Sequence, residues 1–124
     1  MAKILLVEDD VFLSSLLKNR LQKEGIDIIH ARDGEEALQN LRSTPISLVL
    51  LDIILPKKSG FEVLEEIKSD PQLQAQKIPV MIISNLGQPE DIDRGQNLGA
   101  TGYFVKAKTS IDDLVARIKE FIKK

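Results

Sequence analysis

The 124-residue chain has no cysteine, no tryptophan, one tyrosine and one histidine. Without cysteine there is no disulfide framework, no thiolate zinc site and no cysteine nucleophile. A long apolar run is missing as well. The opening MAKILLVEDD places one lysine before a short apolar stretch that ends in acids, which makes neither a signal peptide nor a bilayer span. That predicts a cytoplasmic protein with no membrane partner. Excess charge of one sign is also absent: 17 Lys and Arg face 19 Asp and Glu, for a formal net charge of -2, which gives no argument for direct contact with nucleic acid. The closing KEFIKK reads as cations at a helix C-terminus. With no linker beyond it, a single domain over residues 1–124 is expected, long enough to bury a core without staples, either standing alone, the favoured reading, or truncated from a longer chain.

What is present is a regular alternation of apolar runs and helical periods. KILLVE (3–8), IDIIH (26–30), SLVLLD (47–52), IPVMIIS (78–84) and TGYFV (101–105) have strand length, and the first, third and fourth are nearly continuous aliphatics, the mark of strands covered on both faces. Five helices are expected between and after them. Leu13, Leu16, Leu17 and Leu21 form a stripe that stops at Gly25, and Asp33 with Glu36 resembles a capping box for GEEALQNLRS, which Pro45 closes off. Gly60 and Phe61 lead into EVLEEIKSD, stopped by Pro71. Pro89 opens PEDIDRGQNLG, which has only Ile92 and Leu98 to anchor it and carries Gly95 inside, a residue expected to loosen the helix, and Ser110 with Asp113 caps the last helix. Strict alternation predicts an α/β fold, a single doubly wound five-stranded parallel sheet with right-handed crossovers and the flavodoxin-like strand order 2-1-3-4-5.

Such sheets carry their working site beyond the carboxyl ends of the strands, at the switch point between the first and third. Strand 1 ends in Glu8, Asp9 and Asp10, strand 3 in Asp52, strand 4 in Ser84 and Asn85, and strand 5 runs into Lys106. Taken singly, these residues are ordinary: an acid at a strand end forms turns or caps helices, as expected for Asp10, and a lone lysine is usually a solvated charge. Their convergence on one sheet edge is the signal. Like charges this close need water or a cation, and carboxylates without imidazole or thiolate select a hard one, with Mg2+ suited to a site that also admits a phosphoryl group.

LLVEDD, LLDIILPKKSGFEVL, IPVMIIS and GATGYFVK resemble, in order and spacing, the receiver domain of bacterial two-component response regulators, over essentially the whole chain. D-x-x-L-P-x-x-S-G around Asp52 is the most specific element. The resemblance implies a signalling switch rather than an enzyme. Asp52 would accept a phosphoryl group from a sensor histidine kinase or a histidine phosphotransfer protein. Mg2+ would be held by Asp9 directly, by Glu8 through water, by Asp52 and by the backbone carbonyl of Ile54. Ser84 matches the switch hydroxyl, Tyr103 the switch aromatic and Lys106 the family's lysine; a downstream protein would read the face of the fourth helix, strand 5 and the fifth helix. Two positions depart from the pattern. Ala107 stands where proline usually follows the lysine, which predicts a trans bond and a differently shaped loop, and Asn85 replaces a small residue. They favour the rival reading of a degenerate receiver acting as an unphosphorylated adaptor, which the retained Asp9, Asp52, Ser84 and Lys106 oppose. An FMN carrier of the flavodoxin type needs a phosphate-cradling loop after strand 1, where this chain is acidic. His30, on strand 2, is expected to lie away from the site and serve structure alone.

Overall fold

The computed structural model describes residues 2–122. Lys123 and Lys124, the last cations expected at the C-terminal helix end, lie outside the described residues. Five strands, β1 (Lys3–Val7), β2 (Asp27–Ala31), β3 (Leu48–Leu51), β4 (Val80–Ser84) and β5 (Gly102–Val105), pair in the order β2-β1-β3-β4-β5. Every pairing is parallel, with Ile4 opposite Ile28 and Leu48, and Ser84 opposite Val105. The expected strand order and doubly wound class are what the chain adopts.

Alternation along the strands sorts the core into two layers. Ile4, Leu6, Leu48, Leu50, Met81 and Ile83 point to one face, where α1 (Val11–Gln22) covers them with Leu17 and Leu21, and α6 (Ile111–Ile122) with Leu114, Val115 and Ile118. Leu5, Val7, Val49, Leu51, Val80 and Ile82 point to the other, under α2 (Gly34–Ser43) and α3 (Gly60–Ser69). Both faces of β1 and β3 are thus dry, which explains their unbroken aliphatic sequence. Truncating Leu50 to alanine in such a setting costs about 2–5 kcal/mol.

The helix ends follow the chemistry of their caps. Asp10 accepts hydrogen bonds from Phe12 N–H at 2.9 Å and Leu13 N–H at 3.2 Å, and Ser110 Oγ accepts from Asp113 N–H at 3.0 Å. Ser59 and Glu62 form a reciprocal capping box on α3, whereas Asp33 accepts from Glu36 N–H at 2.9 Å. Gly25, at φ +77°, ends the α1 turn in the left-handed region.

Three expectations change. Pro71 stops α3 but also starts a further helix, α4 (Pro71–Gln76): its missing N–H is one that no helix needs at the first position, and Asp70 caps the new turn through Gln72 N–H at 2.9 Å. The helix over Pro89–Asn97 is therefore α5 and the last is α6, giving six helices in place of five. Leu16 is 37% exposed and off the buried stripe of α1, where buried Ser14 sits instead, its hydroxyl donating to the Val11 carbonyl at 3.1 Å. Gly95, expected to loosen its helix, is a contact point. A Cβ there would lie 2.7 Å from Ile82 Cδ1 and 3.1 Å from the Tyr103 ring, so glycine lets α5 sit directly on β4 and β5.

Candidate functional site

The register of the sheet brings the strand ends together. Val7 pairs with Leu51, Leu51 with Ile82, and Ser84 with Val105, so the residues that follow, Glu8, Asp52 and Lys106, emerge at one edge with Ser84. Glu8 and Ser84 are fully buried, and Asp52 nearly so. Tight packing enforces this. A Cβ on Gly60 would meet the Asp52 carbonyl oxygen at 2.4 Å, so glycine allows the start of α3 to press against the end of β3.

Lys106 bridges the two buried acids. Its Nζ lies 2.9 Å from Asp52 Oδ2, a hydrogen bond, and 2.8 Å from Glu8 Oε1. The second approach is an ion pair without hydrogen-bond geometry, which leaves Glu8 Oε1, among the described residues, the buried side-chain atom with no hydrogen bond. Glu8 Oε2 accepts from Asp10 N–H at 3.2 Å, and Asp52 Oδ1 from Ile54 N–H at 3.3 Å. Asp9 is exposed beside them, and oxygens of Glu8, Asp9 and Asp52 all lie within 4.8 Å of one another.

One ammonium against three carboxylates leaves the site short of positive charge. Burial drives the Glu8 carboxyl up to about 7; Lys106 pulls it down, but the neighbouring Asp52 charge pushes it up again. Burial acts to lower Lys106, yet its contacts with Glu8 and Asp52 outweigh that and hold it above its ordinary value. A buried oxygen with no hydrogen bond, within a hard all-oxygen donor set, fits a divalent cation that retains some of its waters.

The loop after β4 joins two of the expected residues in a way the sequence did not disclose. Ser84 Oγ accepts from Leu86 N–H at 3.3 Å, and the Tyr103 hydroxyl donates to the Leu86 carbonyl. Residue 86 thus holds Ser84 by one end and Tyr103 by the other. Half-buried Tyr103 is raised in pKa by burial, then by Asp91 and Asp52. The loop after β5 contains no cis bond and forms a 3-10 turn over Lys106–Lys108, and Lys106 still reaches Asp52 from it. His30 corrects an expectation: its Nε2 lies 2.6 Å from the Glu8 carbonyl oxygen, against the site rather than away from it. Around the mouth, Phe12 is 81% and Ile54 58% exposed.

The model of the response regulator receiver domain matches residues 4–119. The chain is 40% identical over 124 residues to the transcriptional regulatory protein CpxR of Escherichia coli, covering 100% of this chain and 50% of that protein. It spans about half the length of the curated relatives it matches. Among solved structures, the receiver domain of the Francisella response regulator 1452 superposes with a TM-score of 0.87 at 28% identity, covering 99% of this chain and 98% of that one. The non-phosphorylated receiver domain of HemR from Leptospira biflexa does so with 0.88 at 28% identity, over 100% and 96%. Among the described residues no helix is long and apolar enough to cross a membrane.

Proposed function

The chain belongs to the response regulator receiver domain family of two-component signalling, and from that premise we propose that it is a phosphorylation-dependent switch, with Asp52 as phosphoacceptor. Residues 1–124 form the receiver unit in this reading, the setting is cytoplasmic, and the donor is the phosphohistidine of a sensor kinase or of a histidine phosphotransfer protein. An Asp52 carboxylate oxygen attacks phosphorus as the P–N bond to the histidine breaks, leaving an acyl phosphate and a free imidazole. The transition state is loose, so positioning and charge neutralisation supply most of the acceleration.

Each residue contributes through its placement. Lys106, already 2.9 Å from Asp52, can swing its ammonium from the carboxylate to the incoming equatorial oxygens without leaving the buried site. Glu8, Asp9, Asp52 and the Ile54 carbonyl would hold Mg2+, which when bound neutralises phosphoryl charge from another side. Exposed Phe12 and Ile54 give the donor protein an apolar rim to rest on.

The switch follows from the bonds to Leu86. When Ser84 turns its hydroxyl to the acyl phosphate, Leu86 N–H loses its acceptor and the loop shifts. The Leu86 carbonyl moves with it, so the Tyr103 hydroxyl must find a new partner. Gly95 leaves the Tyr103 ring against α5, which carries the change to the α5, β5 and α6 face. A downstream protein reads that face in this proposal; a net charge of -2 gives no argument for direct contact with nucleic acid.

The bridging of Glu8 and Asp52 by Lys106 is the observation that carries this reading. Intact mass after incubation with acetyl phosphate and Mg2+ tests it. One added phosphoryl group in the wild type and none in Asp52→Asn is expected, and equal incorporation by both would defeat the assignment.

A further inference from the structure

His30 is the only histidine in the chain, and its ring reaches from β2 to the end of β1. A carbonyl oxygen only accepts, so the 2.6 Å contact makes Nε2 the proton-bearing nitrogen and the donor to Glu8. The ladder itself does not supply this bond. Glu8 N–H still donates to the Ala31 carbonyl at 3.0 Å, but β2 ends at Ala31 and the chain turns away to cap α2 at Asp33. His30 thus provides a donor where the neighbouring strand has run out.

The carbonyl held in this way belongs to the peptide group that joins Glu8 to Asp9. Those residues are two of the three acids whose oxygens converge within 4.8 Å. Turning that peptide plane would turn the two side chains relative to each other. The Asp10 N–H bond to Glu8 Oε2 holds the side chain of one of them, but exposed Asp9 depends on the backbone for its direction.

We infer that His30 is a positioning residue for the divalent-cation site: by fixing the Glu8–Asp9 peptide it aims both carboxylates at the point they share with Asp52. The inference rests on the reading of this cluster as a Mg2+ site. Outer partners of metal ligands typically govern affinity by ten- to a hundred-fold, and His30 acts one bond further out, through the backbone. A loss of about tenfold is therefore expected on removing it.

Mg2+ titration of the full chain, followed by amide NMR shifts of residues 8–10, separates this role from simple packing. His30→Leu should raise the Mg2+ dissociation constant about tenfold. His30→Asn, polar but too short to reach the carbonyl, should do the same, while His30→Gln, long enough to donate, should bind within about twofold of wild type. Urea midpoints of all three measure packing separately. Wild-type affinity in both His30→Leu and His30→Asn, whatever their stability, would overturn the inference and leave the metal site standing. Absence of any Mg2+ response in the wild type would instead overturn the site reading on which it rests.

Discussion

Replacing Lys106 by methionine keeps the aliphatic stem and deletes the one ammonium that bridges Glu8 and Asp52. At an effective dielectric of about 20, charges at the observed 2.8 and 2.9 Å attract by about 6 kcal/mol per contact before desolvation. Stripping one partner from a buried pair costs about 3–5 kcal/mol net. Glu8 has an escape, because it can take up a proton. Its carboxyl is already at about 7 in the presence of Lys106, and losing the cation moves it higher. The raised value means that the folded chain holds a proton which the unfolded chain has released. In metal-free wild type, the stability this proton confers is complete below the ordinary glutamate value of 4.5 and is lost as pH rises to about 7. In Lys106→Met the loss continues beyond 7, at about 1.4 kcal/mol per pH unit. Asp70, held low by Arg42, finishes its titration below this window. Urea unfolding in EDTA at about pH 5.5, 7 and 8.5 should therefore show a gap between the proteins that widens by about 2 kcal/mol over the last interval. A gap of constant size at all three would refute the argument that Glu8 and Lys106 are energetically joined.

Asp9→Ala should weaken Mg2+ binding with little change in stability, whereas Asp10→Ala should lose about 1 kcal/mol of helix capping and keep the metal; calorimetry and urea midpoints distinguish the two, and equal metal losses would contradict the geometry. Gly95→Ala gains about 1 kcal/mol of helix propensity but forces a Cβ to within 2.7 Å of buried Ile82 Cδ1, an overpacking cost of about 1–3 kcal/mol, so a net loss is expected in thermal melts and a net gain would disprove the close approach. Ile54 and Leu86 offer no side-chain hydrogen bond to an attacking water, so the phosphorylated wild type should decay more slowly than Ile54→Asn or Leu86→Glu after donor removal, and faster decay of the wild type than of both would remove the shielding argument.

The fold was legible because both core layers demand it. Aliphatic runs such as Ile4 to Val7 and Leu48 to Leu51 have no place except inside a covered parallel sheet, and the acids and lysine at their ends then mark the working edge. Pro71 misled because proline stops one helix and starts the next by the same missing N–H, and only Asp70 directly before it signalled the second use. Gly95 was ambiguous for a related reason: propensity reads glycine as a weak point, while a close approach to Ile82 and Tyr103 requires it. His30 and the double bond to Leu86 were out of reach, since both depend on which side chains meet across neighbouring strands and loops, a matter of register and χ angles that no local pattern encodes.

In the proposed switch the phosphoryl group lands on Asp52 and nowhere else. Borohydride reduces an acyl phosphate to the alcohol, so treating the phosphorylated protein and mapping its peptides identifies the residue directly. Homoserine at position 52 alone is expected, dependent on Mg2+ and abolished in Asp52→Asn. Conversion at Glu8, Asp9 or Asp10, or at no acidic residue in a protein that has gained phosphoryl mass, would contradict it.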